Sequence, residues 1–396
     1  MINKTLLAVA IAGVSLLNVA QADVKIGFLG GFTGPIESLT PPIFEGAKVA
    51  IAHVNTQGGL LQGEMIEMPS ADTTCVDASA ASNGADRLIN SEGAIALVGG
   101  LCSGATIAAA NNIAIPAGVP MISPASTSPA LTDLDDNDLV FRTAPSDAYQ
   151  GAMLANLLTA KGITEIAITY VNNDYGKGFA DALEASFTGT VTANEAHEDS
   201  KADYRAELGS LASTGTETLV VLAYADGSGQ TILRQAYESG DFTRYIGGDG
   251  MVGQSLIDAV GADVLDGMIA TKPGTPDVPG KDVFAKEMKA LLLDPNAVFS
   301  AQAYDAAFLL ALAIEENGTT DKAGLSAALR KVSSAPGEIV LPGEWAKAKK
   351  LIAAGKDINF EGASGNHEFD ANGDVPGLIV EMVVENGQFV QKGFLK

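Results

Sequence analysis

Four short polar stretches, each just after an apolar run, hold the residues best suited to chemistry. Gly99-Gly100-Leu101-Cys102-Ser103-Gly104 offers a hydroxyl and, where a helix opens near Ala105, free backbone N–H groups. That combination suits a carboxylate. Ser123-Pro124-Ala125-Ser126-Thr127 adds hydroxyls and carbonyls with no helix to cap at once. Asn172-Asn173-Asp174-Tyr175-Gly176-Lys177 can present the Tyr175 ring and hydroxyl to a ligand. In Gly247-Gly248-Asp249-Gly250, small neighbours leave the Asp249 carboxylate open to whatever enters a cleft, where an acid would pair with an ammonium group. Each stretch also has a plain structural use: Ser103 can N-cap its helix, Tyr175 can pack a helix start, and the serine-rich stretch can be an ordinary turn. Tyr224 and Asp226 end another apolar run and face the same cleft, but their spacing does not say which points inward.

Several enzyme signatures fail on spacing. Gly27 to Gly34 is not GxGxxG, and Tyr175-Gly176-Lys177 lacks the upstream Gly of a phosphate-binding loop. Ser103 is not in a GxSxG elbow, and no histidine stands in a context that suggests a base for it. Asp370-Ala371-Asn372-Gly373-Asp374 begins like a calcium loop, but Val375 stands where the sharp turn requires Gly, which leaves a turn between strands. His53, His197 and His367 have no ligand spacing to one another or to the cysteines. The expectation is a binding protein without metal or cofactor, not an enzyme.

The polar stretches must be carried by alternating elements. Residues 24–29, 65–69, 95–98, 119–122, 166–171, 218–222 and 268–271 read as buried strands. Between them, 43–56, 78–91, 105–117, 147–160, 178–186, 203–213, 231–239 and 254–260 have helical spacing of apolar residues. Strand alternating with helix means βαβ units and parallel sheets covered on both faces, with ligands at the carboxyl ends of the strands. Phe141 to Asp147 breaks the rhythm, with Pro145 ending a strand and Ser146 or Asp147 capping the next helix. A second break at 272–280 precedes helices at 281–293, 301–316 and 322–332, which suggests a return to the first lobe. The expected fold is therefore α/β, with two doubly wound lobes. Lobe one takes 23–143 plus 272–376, and lobe two takes 144–271 plus 377–396, ending in a hairpin that turns at Glu385-Asn386-Gly387.

A formal charge of -24, spread along the chain without Lys/Arg clusters, argues against nucleic acid as a partner. Lys4, an apolar run of about 15 residues and Ala20-Gln21-Ala22 read as a cleavable secretory leader, since a spanning helix needs roughly 20 residues. The mature chain would begin at Asp23 and reside in the periplasm. In such an oxidising compartment Cys75 and Cys102, the only cysteines, read as one disulfide, with a metal site as the disfavoured alternative.

The residues also carry a family resemblance. Thr33-Gly34-Pro35, Leu101-Cys102-Ser103, Ile122 to Leu131, Phe141-Arg142-Thr143-Ala144, Tyr175-Gly176-Lys177-Gly178 and Phe369 to Asp374 recur in family order across the mature chain. In these stretches it resembles the leucine/isoleucine/valine-binding proteins of ABC importers, which are type I periplasmic binding proteins. The resemblance implies two lobes joined by three crossovers around a cleft. Ser103, Ala125 and Thr127, with Ser126 beside them, would hold the ligand's α-carboxylate and orient its amine. Tyr175 and Asp249 would close from lobe two, with Tyr224 a further candidate contact, and Cys75–Cys102 would be the lobe-one disulfide. Where the family often has an aromatic after Gly-Pro, this chain has Glu37-Ser38-Leu39-Thr40, so Leu39 is the candidate for the side-chain pocket. The implied partners are an amino-acid-like ligand and a permease–ATPase complex. A ligand-sensing receptor or regulator on the same scaffold is the alternative.

Overall fold

The apolar runs assemble into two principal sheets in a computed structural model that describes residues 23–395. The expected leader, residues 1–22, lies outside the described residues. The first sheet contains β1 (Val24–Gly30), β2 (Ile66–Glu67), β3 (Ser70–Asp72), β4 (Ala96–Gly99), β5 (Met121–Ser123) and β6 (Val140–Arg142). All pairs are parallel, in the order β2-β1-β4-β5-β6 with β3 also on β1. The single strand expected at 65–69 is split at Met68-Pro69. Pro69 has no N–H to donate, and its carbonyl takes the Phe28 N–H at 2.8 Å.

In the second lobe β7 (Glu165–Val171), β8 (Thr190–His197), β9 (Thr218–Leu222), β10 (Arg244–Gly247) and β11 (Ile269–Pro273) run parallel. A short pair, β12 (Glu338–Val340) and β13 (Ile358–Phe360), stands apart. The hairpin β14 (Ile379–Glu385) and β15 (Gln388–Phe394) then completes the second sheet antiparallel, giving the order β15-β14-β11-β10-β9-β7-β8. Its turn places Asn386 and Gly387 at positive φ, 52° and 74°, as an Asn-Gly hairpin requires.

In each sheet the chain starts in the interior, winds to one edge and returns to the other side. The reversal points fall beside β1 and β4 in the first lobe and beside β7 and β9 in the second. Loops after such strands diverge and leave a crevice at their carboxyl ends. These are the loops that carry Leu39, Ser103, Tyr175 and Tyr224.

The chain changes sheets after β6, leaves the second sheet after β11 and enters it again at β14. Between the last two, the helices Pro279–Ala290, Ser300–Asn317 and Leu325–Ser333 form. Ser300–Asn317 is apolar on nearly all sides, so it is buried rather than amphipathic. It packs on Thr40–Thr56 so closely that a Cβ at Gly46 would lie 2.3 Å from the Ser300 carbonyl oxygen. The connections lie side by side: Gly274 N–H donates to Leu378 O at 2.7 Å, and Gly377 abuts the Pro145 ring.

Candidate functional site

On the first-lobe side, two loops are locked together by hydroxyls. The Ser123 hydroxyl donates to Gly100 O at 2.6 Å and accepts the Ser126 N–H at 2.9 Å, which bends Ser123–Thr127 over the end of β4. Cys75 and Cys102 are bonded, with Cα atoms 5.3 Å apart. The bond ties the start of the helix Ser103–Ala109 to the loop after β3. Ser103 is 1% exposed, and its Oγ accepts the Ser128 N–H at 3.2 Å. Ala125 and Ser103 both line a cavity between the lobes.

Two expectations in this loop change. The Ser126 side chain turns away from the cleft into lobe one, where it meets Thr106 Oγ1 at 2.6 Å and Gly100 O at 3.3 Å. The loop's own hydrogen bonds thus consume its hydroxyl. Thr127 does not line the cavity wall: its Oγ1 is buried without a hydrogen-bond partner, and its carbonyl accepts from Asp147 N–H (2.7 Å) and Arg142 Nη1 (3.0 Å).

From the second lobe, Tyr175 and Tyr224 stack with ring centroids 5.2 Å apart. Both line the cavity, with Asp249 and Gly250 beside them. The Tyr175 hydroxyl receives Gly250 N–H at 3.2 Å and points its proton at Asp249 Oδ1 at 3.4 Å, while Asn173 Nδ2 donates to Tyr224 at 3.1 Å. Asp249 is 3% exposed rather than open as its glycine neighbours suggested, because Tyr175 and the helix Asp147–Ala160 cover it. Gln150 Nε2 donates to Asp249 Oδ1 at 2.9 Å, and burial pushes this carboxyl up to about 7.

The expected cap of this helix was Ser146 or Asp147. Ser146 is the cap, through Ala148 N–H at 3.3 Å, and Asp147 is instead fully buried with neither carboxylate oxygen in a hydrogen bond. Burial and then the charge of Asp249 raise its pKa well above the usual range; the Thr127 hydroxyl and Arg142 only partly offset this. Gln150 Oε1 is likewise unpartnered. Asp147 and Gln150 are one helical turn apart on a buried face, and this polar pair on an otherwise apolar face was the signal available in the sequence. Arg142 is not free to neutralise the acids, since its Nε and Nη2 are held by Asp374 at 2.6 and 2.7 Å. Asp374 belongs to the Asp370 loop, whose acids accept backbone N–H groups and this arginine as a turn between strands would.

The rest of the cavity is apolar: Ile36, Leu39, Ile43, Leu101 and Phe299. The facing side chains leave only about 30 Å³ of free room, the scale of a water or two. The ambiguity between Tyr224 and Asp226 resolves cleanly. Tyr224 faces the cavity, whereas Asp226 clasps the opposite lobe, its Oδ2 accepting Ser38 N–H (2.8 Å) and Ser38 Oγ–H (2.6 Å). At another point of the seam, Gly178 meets the Pro129 ring, and a Cβ there would lie 2.7 Å from Pro129 Cδ.

The arrangement has relatives. Residues 44–384 match the family described as "Receptor family ligand binding region". A leucine-, isoleucine-, valine-, threonine- and alanine-binding protein of Pseudomonas aeruginosa is 30% identical over 83% of this chain and 88% of its own length. Among solved structures, the leucine-binding protein LivK of Thermotoga maritima superposes with a TM-score of 0.80 at 26% identity, covering 94% of this chain and 99% of that one. The branched-chain amino acid transporter substrate-binding protein LivJ of Streptococcus pneumoniae, in complex with isoleucine, gives 0.77 at 25% identity, covering 94% and 100%. Two doubly wound lobes, facing reversal points and matches over most of the chain place it plainly: it belongs to the receptor-type ligand-binding-region family, beside the amino-acid-binding proteins of ABC transporters.

Proposed function

We propose that the protein is the substrate-binding component of an ABC importer, which shuts its two lobes on an amino acid or a similar small zwitterion and delivers it to a membrane permease. The observation that carries this reading is the charge distribution. Asp249 and Asp147 are buried on the second-lobe side with no ion-pair partner among the described residues, while the first lobe offers the Ser103 hydroxyl and the chain at Ala125. A ligand with an ammonium at one end and a carboxylate beside it meets both needs. In this reading Ser103 and Ala125 receive the carboxylate and orient the amine. Tyr175, Tyr224 and Asp249 close over it, and Leu39 bounds the side-chain pocket. Residues 23–143 with 272–376 move as one body, and 144–271 with 377–396 as the other. The leader read in residues 1–22 would export the chain to the periplasm, where the permease is reached.

A thermal-shift screen of aliphatic amino acids and other small zwitterions tests this. A ligand present at 100 times its dissociation constant adds about 2.7 kcal/mol to stability. Mass analysis after incubation should recover that ligand unchanged. Uncharged analogues that shift the melt as strongly as zwitterions would refute the assignment.

A further inference from the structure

Beside the ligand cavity lies a larger chamber of about 570 Å³, and Leu39 is a wall of both. Val298 lines the chamber while the next residue, Phe299, lines the cavity, so the two spaces share a partition. Both lobes contribute walls to the chamber. Ser38, Pro42 and the loop Asp294 to Val298 come from one side of the cleft, and Gly253, Met382 and Phe389 come from the other. Leu39 is half-buried and packs over Gly253, where a Cβ would be 3.1 Å from its Cδ2. The Leu39 side chain thus stands between the two spaces.

The chamber holds a buried cation. Lys272, at the end of β11, is 8% exposed, and its Nζ donates to the Asn296 carbonyl at 2.7 Å. Asp294 acts on it from a distance without forming an ion pair, and Asp294 Oδ1 is already taken by Asn296 N–H at 2.9 Å. Loss of solvent pushes the ammonium down to about 8, as expected of a desolvated charge short of a counter-ion. Val298, Met382 and Phe389 also line the chamber and suit a hydrocarbon chain.

We propose that the chamber extends the ligand site and takes the far arm of a long amino-acid-like ligand, an aliphatic chain ending in a carboxylate that pairs with Lys272. This rests on the amino-acid reading of the adjoining cavity. Buried charges gain most from a partner that desolvates with them, so the terminal acid, not chain length alone, should set the preference.

The test is calorimetry on the mature chain with leucine, with 2-aminoadipate, 2-aminopimelate and 2-aminosuberate, and with 2-aminooctanoate as the end-neutral match for the longest. The expected result is affinity rising along the diacids, with 2-aminosuberate at least tenfold tighter than 2-aminooctanoate. Lys272→Met should abolish that margin and leave leucine unchanged. Leucine binding with no preference for any diacid over its end-neutral match overturns the proposal but leaves the amino-acid reading intact. Equal weakening of every ligand by Lys272→Met also overturns it, because Lys272 would then be only a tether to Asn296. Failure of leucine and every diacid to bind overturns both readings. Should the variant not fold, the diacid comparison on the unaltered chain decides alone.

Discussion

Replacing Asp249 with Asn separates the charge of the site from its shape. The Asn oxygen can still accept from Gln150 and Tyr175, as Asp249 Oδ1 does at 2.9 and 3.4 Å, so the hydrogen-bond frame survives. What disappears is the counter-ion of a desolvated ammonium, a loss on the order of 2–5 kcal/mol. Two features pull the figure to the lower end. A carboxyl at about 7 is half-protonated at neutral pH, and ionising it costs about 0.4 kcal/mol. The Tyr175 hydroxyl also remains on the cavity wall as a polar partner for the cation. The expected loss is thus about 2–3 kcal/mol, or roughly 30- to 150-fold in affinity. Stability should move the other way. A carboxyl raised in the folded state favours folding below its unfolded pKa, and that advantage disappears as pH climbs through about 7. At pH 8 the ligand-free Asn variant should therefore melt higher than the parent, by an amount equivalent to about 1–4 kcal/mol. Calorimetry with the best zwitterion gives the first number and melting at pH 8 the second. Asp174→Asn, at an exposed carboxylate on the first turn of its helix, is the control and should change affinity less than threefold. Affinity of the Asp249 variant within threefold of the parent, or a lower melt at pH 8, would refute the reasoning.

Three further outcomes follow from the same geometry. Because an ammonium favours ionised Asp249, affinity should fall by up to about tenfold per unit as pH drops below about 7, with proton release seen as a buffer-dependent heat; a flat profile would contradict it. Asp226→Ala removes both Ser38 hydrogen bonds, so stopped-flow should find ligand leaving about 5- to 30-fold faster and entering at an unchanged rate; an unaltered exit rate would show that the clasp does not hold the lobes shut. Replacing Cys75 and Cys102 together by Ser should cost about 3–4 kcal/mol of stability in a chemical melt, and no loss would mean that the cross-link constrains nothing in the unfolded chain.

The pattern of apolar runs made the two-lobed fold readable, because buried parallel strands are short and nearly all apolar while helices between them keep a polar face. Thr218–Leu222 and the helices Asp147–Ala160 and Gln254–Val260 appear with their expected bounds. Less legible was β8, an edge strand whose Thr190–His197 sequence lacks a continuous apolar run, since one side faces solvent. The helix Trp345–Ala353 is equally faint in the sequence, as its few apolar residues among lysines form only a narrow buried stripe around Trp345 and Ala348. At the site, loop position pointed to Ser103, Ala125, Tyr175 and Asp249, all of which line one cavity. Ser126 misled because a hydroxyl in a polar loop says nothing about which way it turns. Asp147 was overlooked because an acid at a helix start has a sufficient local explanation until its burial is known.

The side-by-side passage of the connecting segments between the lobes has a mechanical consequence. A body tied to another by one strand of chain keeps three rotational degrees of freedom, whereas neighbouring ties cancel swivel and twist and leave essentially one. Pro145, the Gly274–Leu378 hydrogen bond and Gly377 bring the connections against one another, so a swing of the lobes would be guided like a door on its frame rather than free to slide out of register. Such a swing would return Asp226 to Ser38 and Gly178 to Pro129, and the entropy of finding that alignment would be met once, when the chain folds.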